Sequence, residues 1–131
     1  MSVGAPERGR ADAAELARSA AAAAVDKKAR EVVELDLRGL VSYTDRFLIC
    51  SGANERQTKA ISEAIAELLA REHAIKPRRV EGLAQAQWIL MDYGDLVIHI
   101  FTPALREHYR LESLWGEAPS QLLSAPEQEL G

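Results

Sequence analysis

The sequence predicts a single α/β (α+β) domain in which a mixed β-sheet carries packed helices. Three observations lead to that class. Apolar periodicity switches between helical and strand spacing, giving the order helix, two strands, helix, two or three strands, helix. Residues 87–101 carry a hairpin signature, with apolar runs on both sides of a glycine turn. A length of 131 residues, 47% hydrophobic and 27% charged, suits one buried core and is short for two.

Residues 1–10, with Gly4, Pro6 and Gly9, read as a mobile leader. The dense alanine of residues 11–28 predicts a helix, with Asp12 and Glu15 near its start and Lys27 and Lys28 near its end, the charge order a helix dipole favours. Val33, Leu35 and Leu37 alternate with Glu34 and Asp36, as in a strand with one wet face. After a loop at 38–45, the apolar run 46–51 suits a buried strand. Gly52-Ala53-Asn54 then leads into a second helix, with Asn54 as N-cap and Gln57 three residues on. Ile61, Ile65, Leu68 and Leu69 form its apolar stripe, Glu63 and Glu67 can pair with Lys59 and Arg71, and Pro77 ends it by Ile75 or earlier.

Residues 79–81 predict a short strand, and 87–92 and 95–101 the arms of a hairpin around Tyr93-Gly94. Thr102-Pro103 is a helix start, a capping hydroxyl before proline at the first helical position, and that helix should run to about Leu114 before Gly116 stops it. The domain therefore spans 11–116, with 117–131 expected as a disordered acidic tail.

The apolar stretch 20–25 is too short to span a bilayer, and Asp12 and Glu15 precede it where a signal peptide carries positive charge; no membrane partner or targeting segment is expected. The lone cysteine, Cys50, has no internal disulfide partner and lies in an apolar run, which predicts a buried, reduced thiol and a cytoplasmic setting. The net charge of −4 is uneven. Residues 1–80 carry 14 basic and 12 acidic side chains, and residues 81–131 carry 2 and 8. An acidic C-terminal part repels phosphate backbones and attracts a basic protein.

With a two-residue turn at Tyr93-Gly94, Asp92 faces Asp95, Leu90 faces Val97 and Trp88 faces His99, and Phe101 continues that face. Ile89, Met91, Leu96, Ile98 and Ile100 line the other face, which is wholly apolar and must be core. The first face mixes an aromatic anchor with carboxylates and aliphatics, the composition a protein partner recognises. Trp88, Leu90, Asp92, Asp95, Val97 and His99 are the candidate partner-binding residues. The same composition also fits ordinary core beneath a covering helix.

Other chemistry is less well supplied. Ser51-Gly52 before a helix, with Asp92 and Asp95, invites a nucleotidyltransferase reading, but no third carboxylate joins them to hold Mg²⁺, and Mg²⁺-dependent nucleotide binding would be its mark. Cys50 with His73, His99 or His108 lacks ligand or nucleophile spacing, so no cofactor or metal is expected. Lys76, Arg78 and Arg79 form a short basic run that could touch RNA or simply be solvated.

Three stretches in order, YTDRFLICSGANERQ at 43–57, EG at 81–82 and WILMDYGDLVIHIF at 88–101, followed by REHYRLESLW at 106–115, resemble the Iojap or ribosomal silencing factor family over residues 11–116. The resemblance implies a mixed α/β fold with a truncated nucleotidyltransferase-like topology and no catalytic role. It further implies binding to the large ribosomal subunit through the ribosomal protein known as universal L-fourteen, with subunit joining blocked and translation repressed. A homodimer in the free state is implied as well. Here the apolar part of the Trp88 face, with Leu90 and Val97, is the surface expected to seek cover, so dimer and ribosome contacts are expected to overlap.

Overall fold

The computed structural model describes residues 12–111, 116 and 118–123. Its elements in chain order are α1 (Ala13–Asp26), β1 (Arg30–Asp36), β2 (Arg46–Ser51), α2 (Glu55–His73), β3 (Arg79–Glu81), β4 (Trp88–Asp92), β5 (Leu96–Phe101), α3 (Pro103–Tyr109) and β6 (Ser120–Leu122). They form a six-stranded sheet in the order β3-β4-β5-β2-β1-β6. Only β2 and β5 pair in parallel, and the other pairs are antiparallel.

Capping chemistry sets both long helices. Asp12 accepts the Glu15 backbone N–H at 2.8 Å to open α1, and Asn54 accepts that of Gln57 at 2.9 Å to open α2. Gln57 reaches back to the Ala53 N–H, one residue before the cap, and its amide also holds the Lys27 carbonyl at 3.0 Å, tying the start of α2 to the end of α1. Ala74, left-handed at φ 57°, closes α2 before Pro77. The buried side of α1 is Leu16 among alanines, small enough for the helix to lie close to α2 and the sheet.

These two helices cover one sheet face, where Leu48, Cys50, Ile89, Met91, Leu96, Ile98 and Ile100 meet Ile61, Ile65 and Leu69. Gly52 makes the approach possible. A β-carbon there would stand 2.9 Å from the Thr58 backbone nitrogen in the first turn of α2. The opposite face holds a smaller cluster of Leu35, Leu37, Phe47, Ile49, Val97 and Phe101, covered by Leu105 of α3 and by Leu111 and Ala118.

Four expectations change. The strand at Val33 has no wet face: Val32 packs beneath the helices, and Glu34, two residues on and on the same side, is buried against Arg46, 2.6 Å away. The hairpin turn is Gly94-Asp95, not Tyr93-Gly94, because the Tyr93 N–H bonds the Leu96 carbonyl at 2.8 Å. The register accordingly slides by two, pairing Asp92 with Val97, Leu90 with His99 and Trp88 with Phe101. A shift of two preserves which side chains share a face.

The third change is that α3 ends at Tyr109, because Arg110 turns left-handed at φ 48°; Leu111 packs into the smaller cluster, and residues 112–115, over which the helix was expected to continue toward Leu114, lie outside the described residues. Thr102 caps it with no side-chain bond. Fourth, the segment beyond 117 is not wholly a tail. Ser120–Leu122 pairs with β1, flanked by bonds from the Asp36 N–H to the Pro119 carbonyl and from the Leu123 N–H to that of Val32. The open edge of β1 supplies unpaired backbone groups that only another strand can satisfy in regular fashion. The expected leader, 1–10, and residues 124–131 lie outside the described residues.

Candidate partner-docking face

Strand alternation puts Trp88, Leu90 and Asp92 of β4 beside Val97, His99 and Phe101 of β5 on the sheet face away from α1 and α2. The structure separates these residues by accessibility. Val97 and His99 are 7% and 4% exposed, so neither presents surface to a partner in this conformation. Leu90 and Trp88 are half-buried, and Asp95 is exposed in the turn.

Trp88 is the centre of an aromatic group. Its ring lies 5.0 Å from Phe101 and 4.7 Å from Tyr109, centroid to centroid, and its indole N–H donates to His99 Nδ1 at 3.1 Å. Beside it a cleft of about 380 Å³ opens between Gly82, Ala84, Gln85, Gln87, Trp88 and Leu105. Thus α3 covers only part of this face, and the two alternatives left by the sequence are both partly right: Trp88 packs within its own chain and also walls an open cleft.

Because an indole nitrogen can only donate, His99 Nδ1 must be the acceptor, which places the imidazole proton on Nε2. That Nε2–H is buried with no partner among the described residues. Burial pushes the His99 pKa down to about 4, keeping the ring neutral. A buried, unmatched donor typically costs about 1–3 kcal/mol.

Asp92 and Asp95 do not meet across the hairpin. Asp92 accepts the Gly94 N–H at 2.8 Å and stands 3.6 Å from Arg78 and 3.7 Å from Arg79. The predicted acidic face and the predicted basic run are therefore one charge cluster. The Asp95 backbone carbonyl accepts the N–H groups of Asp45 and Arg46 at 3.0 and 3.1 Å, fixing the turn against the loop that precedes β2.

The residues of the nucleotidyltransferase reading do not assemble. Ser51 is buried and accepts a bond from the buried Arg106 guanidinium at 3.0 Å. No group of three or more His, Cys, Asp or Glu among the described residues could hold a metal ion. Cys50 faces the helices, opposite in facing to His99, and burial pushes its thiol up to about 12. No helix among the described residues is long and apolar enough to cross a membrane.

Sequence reasoning missed Gly82 and Tyr109. Tyr109, 43% exposed, extends the aromatic surface from α3. Gly82, at φ +88°, lets the 82–87 loop fold back so tightly that a β-carbon would stand 2.0 Å from the Trp88 carbonyl oxygen. The glycine after Glu81 was visible in the sequence, and only its partner was not.

Fold and face together define a small α+β domain with a mixed sheet, helices on one side and a partly uncovered aromatic face on the other. The sequence matches the family described as "Ribosomal silencing factor during starvation" over residues 10–130, and the chain belongs to that family. Among its relatives, the protein named ribosomal silencing factor RsfS of Halalkalibacterium halodurans is 44% identical over 106 residues, covering 81% of this chain and 90% of the relative. The RsfS of Bacillus subtilis is 43% identical over 76% of this chain and 84% of its own. The chloroplastic protein Iojap of Zea mays is 33% identical over 82% of this chain and 46% of its own length. The fold agrees: the crystal structure of protein CV0518 from Chromobacterium violaceum superposes with a TM-score of 0.77 at 29% identity, covering 92% of this chain and all of that one. A crystal structure from Bacillus halodurans gives 0.72 at 42% identity, covering 84% of this chain and 99% of that one.

Proposed function

We propose that this protein silences ribosomes without catalysis, by binding the large subunit through the universal L-fourteen ribosomal protein and sterically blocking subunit joining, so that translation is repressed in the cytoplasm. The observation that carries the reading is the half-buried Trp88, flanked by exposed Tyr109 and an open cleft, in a chain of the silencing-factor family. Such an aromatic, held by neighbouring rings and lining a cleft, is a typical interface anchor. Trp88, Leu90 and Asp95 offer the contacts; Asp92 contributes through the charge cluster it forms with Arg78 and Arg79; Val97 and His99 lie beneath. Lys76, Arg78 and Arg79 provide a minor ribosomal RNA contact at the edge. The free protein is a homodimer whose surface overlaps this face. Co-sedimentation with purified large subunits, alone and with small subunits added afterwards, tests the reading: binding with reduced subunit joining supports it, and absence of binding to large subunits and to the isolated ribosomal protein removes it.

A further inference from the structure

We propose that His99 is a positioning residue, whose Nδ1, by accepting the indole N–H of Trp88, fixes the orientation in which Trp88 meets the partner. The inference rests on the docking reading and goes beyond it by assigning the buried histidine a task it cannot perform by contact. His99 sits on β5, a strand paired on both sides, with Leu90 and Ile49 as its register partners. Its ring is further held by Phe47, edge-on at 4.5 Å, and by Phe101, stacked at 6.2 Å with planes 10° apart. It is therefore an immobile acceptor. Trp88, by contrast, lies on β4 at the border of the cleft, where tilted contacts with Phe101 and Tyr109 restrain the ring plane but do not distinguish the two orientations related by a flip about the Cβ–Cγ bond, which exchanges the edges of the ring. A directional hydrogen bond to the indole nitrogen removes that freedom.

The Nε2–H, which has no partner among the described residues, points the same way. Packing alone would be served better by an apolar ring at 99, with no donor left unsatisfied. An imidazole is accounted for by the acceptor it supplies on the other nitrogen, and the partner of that acceptor is Trp88. Ordering one side chain in advance of association spares the complex that entropy, which sets the expected effect at roughly two- to tenfold in affinity.

The test uses the full chain, purified large subunits and three variants. His99→Phe keeps a ring and loses the acceptor; His99→Asn places an amide oxygen near the Nδ1 position; Trp88→Ala removes the proposed anchor. Expected are a displaced Trp88 indole N–H resonance and roughly two- to tenfold weaker binding for His99→Phe, with resonance and affinity both moving back toward wild type in His99→Asn. Wild-type affinity for His99→Phe alongside lost affinity for Trp88→Ala overturns the positioning role while the docking reading stands. Wild-type affinity for Trp88→Ala overturns the docking reading itself. If His99→Phe does not fold, the nitrogen-15 resonances of His99 in the wild-type chain decide: an unprotonated Nδ1 coupled to the indole nitrogen supports the proposal, and a protonated Nδ1 refutes it.

Discussion

Gly82 and Trp88 are locked together through backbone: the glycine, at φ +88°, leaves no room for a β-carbon, which would fall 2.0 Å from the Trp88 carbonyl oxygen. The start of β4, and with it the placement of the indole, depends on a residue with no side chain.

Gly82→Ala should therefore destabilise the protein and disturb the cleft. A left-handed alanine together with a forced loop displacement costs about 1–3 kcal/mol. That corresponds to a fall of roughly 3–15 °C in Tm for a domain of this size. Thermal unfolding measures it, and an unchanged Tm would show that the 82–87 loop is not held as described.

Charge variants distinguish a protein partner from an RNA partner. Asp92→Lys should weaken large-subunit binding more than Arg79→Glu, since the proposed contact is acidic protein on basic protein. The two residues form one ion-pair cluster, so both variants also break the same pairing, which is exposed at the arginine and largely covered at the carboxylate. Asp92→Asn, which can keep the bond to the Gly94 N–H, separates charge from turn geometry. The reverse order of effects would assign the surface to RNA.

Stability should fall with acid in a window that His99 defines. Its folded pKa is depressed to about 4 from 6.5, so between these values the unfolded chain binds the proton and the folded one does not. The contribution is fully present above pH 6.5, lost as pH falls toward 4, and amounts to about 3 kcal/mol. Asp36, held below the usual carboxylate range by Arg38, loses its contribution only below its unfolded value of 3.8. Denaturant melts of wild type and His99→Asn across this range should show the slope in the first and not in the second.

The fold was largely legible because its elements are strongly periodic. Asp12 and Asn54 announce the two long helices, and the unbroken run 46–51 announces a strand buried on both faces. The turn was misplaced by one residue because Gly94 serves either turn, and what decides is remote: the Asp45 and Arg46 N–H groups fix the Asp95 carbonyl. Ser120–Leu122 has no strand pattern of its own and is exposed at every position; the open edge of β1 makes it a strand. The docking face was readable as a face, since alternation survives a slide of two. Which of its members reach solvent was not, because Leu105 of α3, with Leu111 and Ala118, packs in the cluster that buries Val97, and the rings of Phe47, Trp88 and Phe101 surround His99, leaving Trp88 at the border.

Self-association gives a separate check on the same surface. Sedimentation of the free protein at tens of micromolar should show a homodimer, and addition of the purified ribosomal partner should yield a complex holding one protomer. A free monomer removes the dimer, and a complex retaining both protomers through the original contact removes the overlap.

Trp88 is the proposed anchor of this protein on the large ribosomal subunit. Trp88→Ala loses contacts to Phe101, Tyr109 and His99, so its Tm should drop while unfolding stays cooperative. Loss of an interface anchor typically removes about 2 kcal/mol or more, roughly thirtyfold in affinity. Equilibrium binding of wild type and folded Trp88→Ala to purified large subunits, at a temperature well below both melting points, is the most direct test. If Trp88 is the anchor, Trp88→Ala binds about thirtyfold or more weakly, and equal affinity for the two proteins would show that it is not.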